Sequence, residues 1–174
     1  MKLKLIMFSF FTVGAKNINE KLSWEIDELE KVLRLSKKLT NKQIGKMAKY
    51  LRKHMPVDRY NLIFADIQKA LEADKTVPAD FKPKSIAVEM RIANFRAGAM
   101  MSREKSKKTG ITHVSITFTP DMEYCETAQQ YRKKYDGKVV KLGNAPIFPL
   151  ITCYNCNNCT RFVLVKPLIK GLDY

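Results

Sequence analysis

The start of one helix is the most strongly marked feature of this sequence. Thr40 and Gln43 have the spacing of a capping box, in which each side chain satisfies a backbone amide near the helix start. Leu39 and Ile44 flank this start at the positions of a hydrophobic staple. Because Pro56 cannot continue a helix, the pattern predicts a helix that begins near Thr40 and ends before Pro56.

Two kinds of residue recur along this predicted helix. One set is apolar and indicates the face that packs into a core. The other set is lysine, which would place four ammonium groups along about 16 Å at 1.5 Å per residue, long enough to follow several phosphates. The ordinary alternative is a solvent-exposed face opposite the core. The apolar residues are Ile44, Met47, Ala48, Leu51 and Met55, and the lysines are Lys42, Lys46, Lys49 and Lys53.

A strand and two more helices are predicted in the first half of the chain. Residues 5–13 follow a basic start and have the outline of a secretory signal, but their aromatic residues favour a buried first strand. Residues 19–38 and 58–73 have the apolar spacing of amphipathic helices. We therefore predict an N-terminal strand and a three-helix portion over residues 1–80.

The second half changes to the alternation that is typical of strands. Residues 86–93 alternate in this way, although a helix through Val88, Ile92 and Phe95 fits the same segment. A helix is predicted to open at Pro120 and to run to about Tyr135. The other predicted strands are residues 111–119, 139–142, 147–153 and 161–165.

Together these elements predict an α+β fold. The N-terminal strand and three-helix portion are followed by a small, mostly antiparallel sheet with one helix and a Cys-rich hairpin. Residues 1–80 and 81–174 would form two subdomains or one compact domain.

The charge of the chain indicates an anionic partner. There are 32 Lys and Arg residues against 17 Asp and Glu residues, which gives a net charge of +15. The excess is shared, with +8 in residues 1–84 and +7 in residues 85–174. Such a field attracts the phosphates of DNA or RNA, and an acidic protein surface would be attracted equally. Since 24 of the 32 basic residues are lysines, contact with the phosphate backbone is favoured over base reading.

A second group of cations lies at residues 102–110. This polar segment between two predicted strands is expected to form a loop that reaches a phosphate backbone, or else an ordinary surface loop. Its candidate nucleic-acid-binding residues are Arg103, Lys105, Lys107 and Lys108.

The cysteines form the one metal-like pattern. Cys153, Cys156 and Cys159 are three residues apart, and Cys125 is the candidate fourth ligand of a zinc ion. The alternatives are an iron–sulfur cluster, or no metal, with Cys125 as a small core residue and the other three in a turn.

No complete catalytic motif or phosphate-cradling glycine loop is present in the sequence, so a non-enzymatic function is expected. The leading hypothesis is a nucleic-acid-associated protein that contacts phosphates without strong sequence preference. The alternative is a structural or assembly component of a virion or other large nucleoprotein particle. Either function places the chain in the cytoplasm or within such a particle, and secretion is disfavoured. The sequence shows no transmembrane segment, because its apolar stretches are too short.

Overall fold

The computed structural model describes residues 3–55, 59–154 and 159–169, with side chains from Glu20 onward except those of Cys159 and Phe162. This part of the chain is α+β, with five α-helices and one three-stranded antiparallel sheet. The helices are α1 (Leu3–Ser36), α2 (Asn41–His54), α3 (Phe64–Glu72), α4 (Ala87–Lys108) and α5 (Glu126–Tyr135). The strands are β1 (His113–Thr117), β2 (Lys138–Lys141) and β3 (Leu164–Pro167).

The predicted N-terminal strand is wrong, because α1 already begins at Leu3 and continues to Ser36. No proline interrupts this segment, and each residue added to a growing helix gains a hydrogen bond. The apolar run therefore extends the amphipathic helix that the sequence predicts from residue 19. Among the described residues, no helix is both long enough and apolar enough to cross a membrane.

Helix α2 is confirmed together with its capping box. The amide of Gln43 donates to the Thr40 hydroxyl at 3.3 Å, and the Thr40 amide donates to the Gln43 side-chain oxygen at 2.9 Å. Helix α3 is confirmed in a shorter form, since it begins at Phe64 instead of residue 58. Its first turn is fixed by Asp66, whose carboxylate accepts the Ile63 amide at 2.9 Å.

Two predictions are wrong in the region of helix α4. The strand predicted for residues 86–93 and the basic loop predicted for residues 102–110 lie almost entirely in this one helix. The alternative helical interpretation of residues 86–93 is therefore the correct one. The alternation misleads because α4 is buried on more than one side: Ile92 is fully buried, far around the helix from Met90.

Strand β1 lies at the centre of the sheet, between β2 and β3. Val114 and Ile116 of β1 point into the core, whereas His113 is exposed on the other face. Helix α5 begins at Glu126, later than the predicted start at Pro120.

The strand predicted for residues 147–153 is wrong. Pro149 has no amide to donate to a ladder, and the chain forms a 3-10 turn at Ile151–Tyr154. A second 3-10 turn, Cys159–Phe162, precedes β3. The Cys-rich hairpin is therefore not confirmed, and residues 155–158 lie outside the described residues.

The apolar side chains form two clusters. The first is formed by helices α1, α2, α3 and α4 and includes Leu22, Ile44 and Ile67. The second lies between the sheet and α5 and includes Ile116 and Phe148. Helix α4 connects them, since it packs along α1 and also approaches the loop that contains Phe148.

Candidate polyanion-binding surfaces

The lysine face of α2, formed by Lys42, Lys46, Lys49 and Lys53, is exposed along its whole length. The opposite side of the helix contains Ile44, Met47, Ala48 and Leu51, which are at most 3% exposed. The core therefore fixes the rotation of α2 and directs the four ammonium groups outward. This placement agrees with both interpretations of the stripe, a phosphate-binding face and a solvated face.

One of the four lysines forms an ion pair within the fold. The ammonium of Lys46 lies 2.8 Å from the carboxylate of Asp74, which is only 5% exposed. The same carboxylate oxygen accepts the amide and hydroxyl of Thr76. In the part of the chain that the structure describes, Lys42, Lys49 and Lys53 have no such carboxylate partner. Three lysines on this face therefore remain available to an external anion.

Several acidic residues are removed from the surface and paired inside. A buried carboxylate next to a cation is stabilised there, and three of the partners, Lys31, Lys38 and Lys46, are exposed lysines that these pairs neutralise. The positive field that a ligand would meet therefore comes from lysines without a carboxylate partner among the described residues, such as Lys42, Lys49 and Lys53. The buried carboxylates are Glu25, Glu28, Asp74 and Glu89, and their partners are Lys21, Lys31 with Arg96, Lys46 and Lys38.

The four candidate cations near the end of α4 have different surroundings. The guanidinium of Arg103 donates to the carbonyls of Ala145 and Pro146, so it is turned toward the sheet side of the helix. Lys107 pairs with Glu104 at 2.5 Å. Lys105 and Lys108 are exposed, and they have no ion pair within the described residues. Because they lie in the last turn, they also complement the helix dipole.

A further pair of cations, which the sequence analysis did not select, lies on the outer face of the sheet. Lys141 is opposite His113, and Lys166 is opposite Ser115, so all four lie on the face away from Ile116. Two strand spacings across and two residues along place the lysine Cα atoms about 12 Å apart. Both lysines are exposed on this outer face, and none of the three strands contains Asp or Glu.

Sequence reasoning could not pair these two lysines, because the strand register was unknown. A signal was nevertheless present. Residues 137–172 contain five basic residues and no acidic residue. Such a segment predicts locally positive charge, and the register then identifies which of its lysines share a face.

The zinc site remains a prediction. Cys156 and the side chain of Cys159 lie outside the described residues. Cys125 precedes α5 and packs against the second cluster, and Cys153 is fully buried, with its sulfur 3.1 Å from the Thr160 hydroxyl. Within the residues whose side chains are described, no three His, Cys, Asp or Glu residues are grouped to hold a metal.

Comparisons with protein-family models, with curated proteins and with solved structures found no match to this chain. Two basic surfaces, the lysine face of α2 and the outer face of the sheet, are the features of the described structure that favour an anionic ligand. Both consist of exposed lysines, which bind phosphate as point charges and impose little geometric preference.

The outer face of the sheet can be tested by replacing Lys141 and Lys166 with Gln. If both lysines contact duplex phosphates, the slope of log affinity against log salt should become shallower by about 1.8. Changing Lys82 and Lys84 to Gln removes the same charge from exposed sites elsewhere. Fluorescence anisotropy at several salt concentrations measures both variants. Equal effects would mean that only net charge matters, and that this face is not a binding surface.

Proposed function

We propose that this chain is a non-enzymatic, nucleic-acid-associated protein that contacts phosphates without strong sequence preference. The observation that carries the proposal is the lysine face of α2, on which Lys42, Lys49 and Lys53 are exposed and have no carboxylate partner among the described residues. A protein of this kind acts in the cytoplasm or within a nucleoprotein particle.

The dimensions of this face suit a nucleic acid. At 1.5 Å per residue, Lys42 and Lys53 are about 16 Å apart along the helix axis. A duplex carries one negative charge per about 1.7 Å, so the lysine face is matched by about nine phosphates. Since lysines recognise charge and not base edges, the contact would be tolerant of sequence.

A nucleic acid should be preferred over an acidic protein surface. Extended polyglutamate has one charge per about 3.3 Å, roughly half the linear charge density of a duplex. Binding to a nucleic acid therefore releases more counterions. We expect unlabelled duplex DNA or RNA to displace a labelled oligonucleotide at least about tenfold more effectively than polyglutamate of equal total charge. Equal displacement by polyglutamate would instead assign the basic surface to an acidic protein partner.

The second candidate function, a component of a virion or other large particle, is favoured by a group of exposed apolar side chains. Tyr60, Ile63 and Phe64 are each more than 40% exposed and lie within five residues of one another. Neighbouring subunits in a particle could cover such a patch. Light scattering separates the two functions. A freestanding binder should bind nucleic acid as a monomer, whereas a particle component should associate with itself when nucleic acid is added.

A further inference from the structure

A cavity of about 390 Å³ lies between the second half of α4 and the inner face of the sheet. Its volume is within the range of small-molecule sites, which is about 300–1,000 Å³. One wall is the face of α4 that carries Ala99, Ser102, Arg103 and Ser106. The other walls are mainly apolar and come from strands β1 and β3 and from residues 145–148. The lining thus combines a large apolar surface with a few polar groups on one side.

Strand β3 supplies an apolar wall that lacks a partner inside the molecule. Val165 is opposite Ile116, so both side chains lie on the inner face of the sheet. Ile116 is fully buried, yet Val165 is 38% exposed. Pro167 is exposed in the same way, although it is opposite the buried Val114. The inner face is therefore filled beneath β1 and open to the cavity beneath β3.

Among the described residues that line the cavity, Arg103 is the only one with a cationic side chain. Its Nη2 atom donates to the carbonyls of Ala145 and Pro146, which are neutral acceptors. The adjacent carboxylate, Glu104, is paired with Lys107. Burial lowers the pKa of the Arg103 guanidinium, which stays protonated because arginine is not deprotonated in proteins. A partly desolvated cation without a carboxylate partner in the described structure is suited to an incoming anion.

We propose that this cavity binds a small carboxylic acid with an apolar body, such as a medium-chain fatty acid. The carboxylate bonds to the Arg103 guanidinium and to the hydroxyls of Ser102 and Ser106, and the apolar body covers Val165 and Pro167. Nη2 is engaged by the two carbonyls, so the carboxylate accepts from the Nε and Nη1 protons, which have no acceptor among the described residues. This site is independent of the basic surfaces, since Lys42, Lys49, Lys53, Lys141 and Lys166 do not line it.

Decanoate and decanol are the probes that test this site, because they share the apolar chain and differ in the charged end. Isothermal titration calorimetry, below the concentration at which decanoate forms micelles, should show one site per chain. We expect decanoate to bind about 10-fold to 100-fold more tightly than decanol, because the bond to a charged group is lost in the alcohol. No binding of decanoate, or equal binding of both probes, overturns the proposal.

Two variants test the site from different sides. Arg103→Gln should weaken decanoate at least about tenfold and leave decanol unchanged. Ala99→Phe fills the cavity without altering Arg103 and should abolish binding of both probes.

Lys105→Gln is the matched control, since it removes one charge from α4 outside the cavity. Circular dichroism checks folding, and if Arg103→Gln does not fold, Ala99→Phe decides. Decanoate affinity that survives Ala99→Phe contradicts the assignment.

Discussion

Replacing Lys42, Lys49 and Lys53 together with Gln should reduce affinity for duplex DNA about 100-fold to 1,000-fold at about 50 mM salt. Each lost phosphate contact also makes the slope of log affinity against log salt shallower by about 0.9, so the three should change it by about 2.7. Lys46 is kept, because its ion pair with Asp74 fixes the loop after α3. Fluorescence anisotropy with a labelled duplex measures both quantities.

The matched control changes Lys75, Lys82 and Lys84 to Gln. These lysines are exposed, and removing them lowers the net charge by the same three units. They lie close to the exposed Glu72 and Asp80 in the chain, so a polyanion should be less attracted to this region. We expect the control to lose far less affinity than the α2 variant. If the two variants behave alike, the lysine face of α2 is an ordinary solvated surface.

The largest expected effect on stability comes from Arg96. Its guanidinium donates to the buried carboxylate of Glu28 and, at 2.8 Å each, to the carbonyls of Ile147 and Pro149. Replacing it with Met would leave the two carbonyls without this donor, and the buried Glu28 carboxylate would keep only its ion pair with Lys31 among the described residues. An unsatisfied buried polar group costs about 1–3 kcal/mol, so urea unfolding should show a loss of about 2–4 kcal/mol.

The control for this variant is Arg91→Met on the same helix. Arg91 is exposed, and a surface substitution of this kind should change the free energy of unfolding by less than about 0.5 kcal/mol. A loss at Arg96 that is no larger than at Arg91 would contradict the proposed connection between the two apolar clusters.

The Arg96 contribution should also depend on pH. Burial acts to raise the pKa of the Glu28 carboxyl, but the hydrogen bonds from Lys31 and Arg96 prevail and hold it below its ordinary value. This stabilisation is therefore present above the pKa of the unfolded chain, about 4.3, and is lost as pH falls through the lower pKa of the folded state. The difference between Arg96→Met and the unmodified chain should shrink over that acidic range.

The sequence predicted well wherever local chemistry determines the structure. Helix α2 is the clearest example, because the side chains of Thr40 and Gln43 cap it without help from distant residues. The α+β class and the central strand β1 were also predicted correctly. Helix α4 was not, because it packs against α1 and also against the 3-10 turn Ile151–Tyr154. A helix that packs on two sides has apolar residues around much of its circumference, and this hides the helical period in the sequence.

The candidate binding surfaces were likewise predictable only where local sequence determines them. The lysine face of α2 follows directly from helical spacing. The sequence predicts Arg103 in a basic loop, but in the structure a helix turns it toward the carbonyls of Ala145 and Pro146. Lys141 and Lys166 were missed because they share a face only through strand register. Register depends on pairing between distant segments, and local sequence does not contain it.

The salt dependence of nucleic-acid binding by the unmodified chain tests the central claim most directly. Log affinity for a short duplex should fall linearly with log salt, because each neutralised phosphate releases counterions. Three contacts from α2 and two from the sheet predict a slope of about −4.5. Binding to DNA and RNA that is absent at about 50 mM salt, or that does not change with salt, would contradict the proposed function.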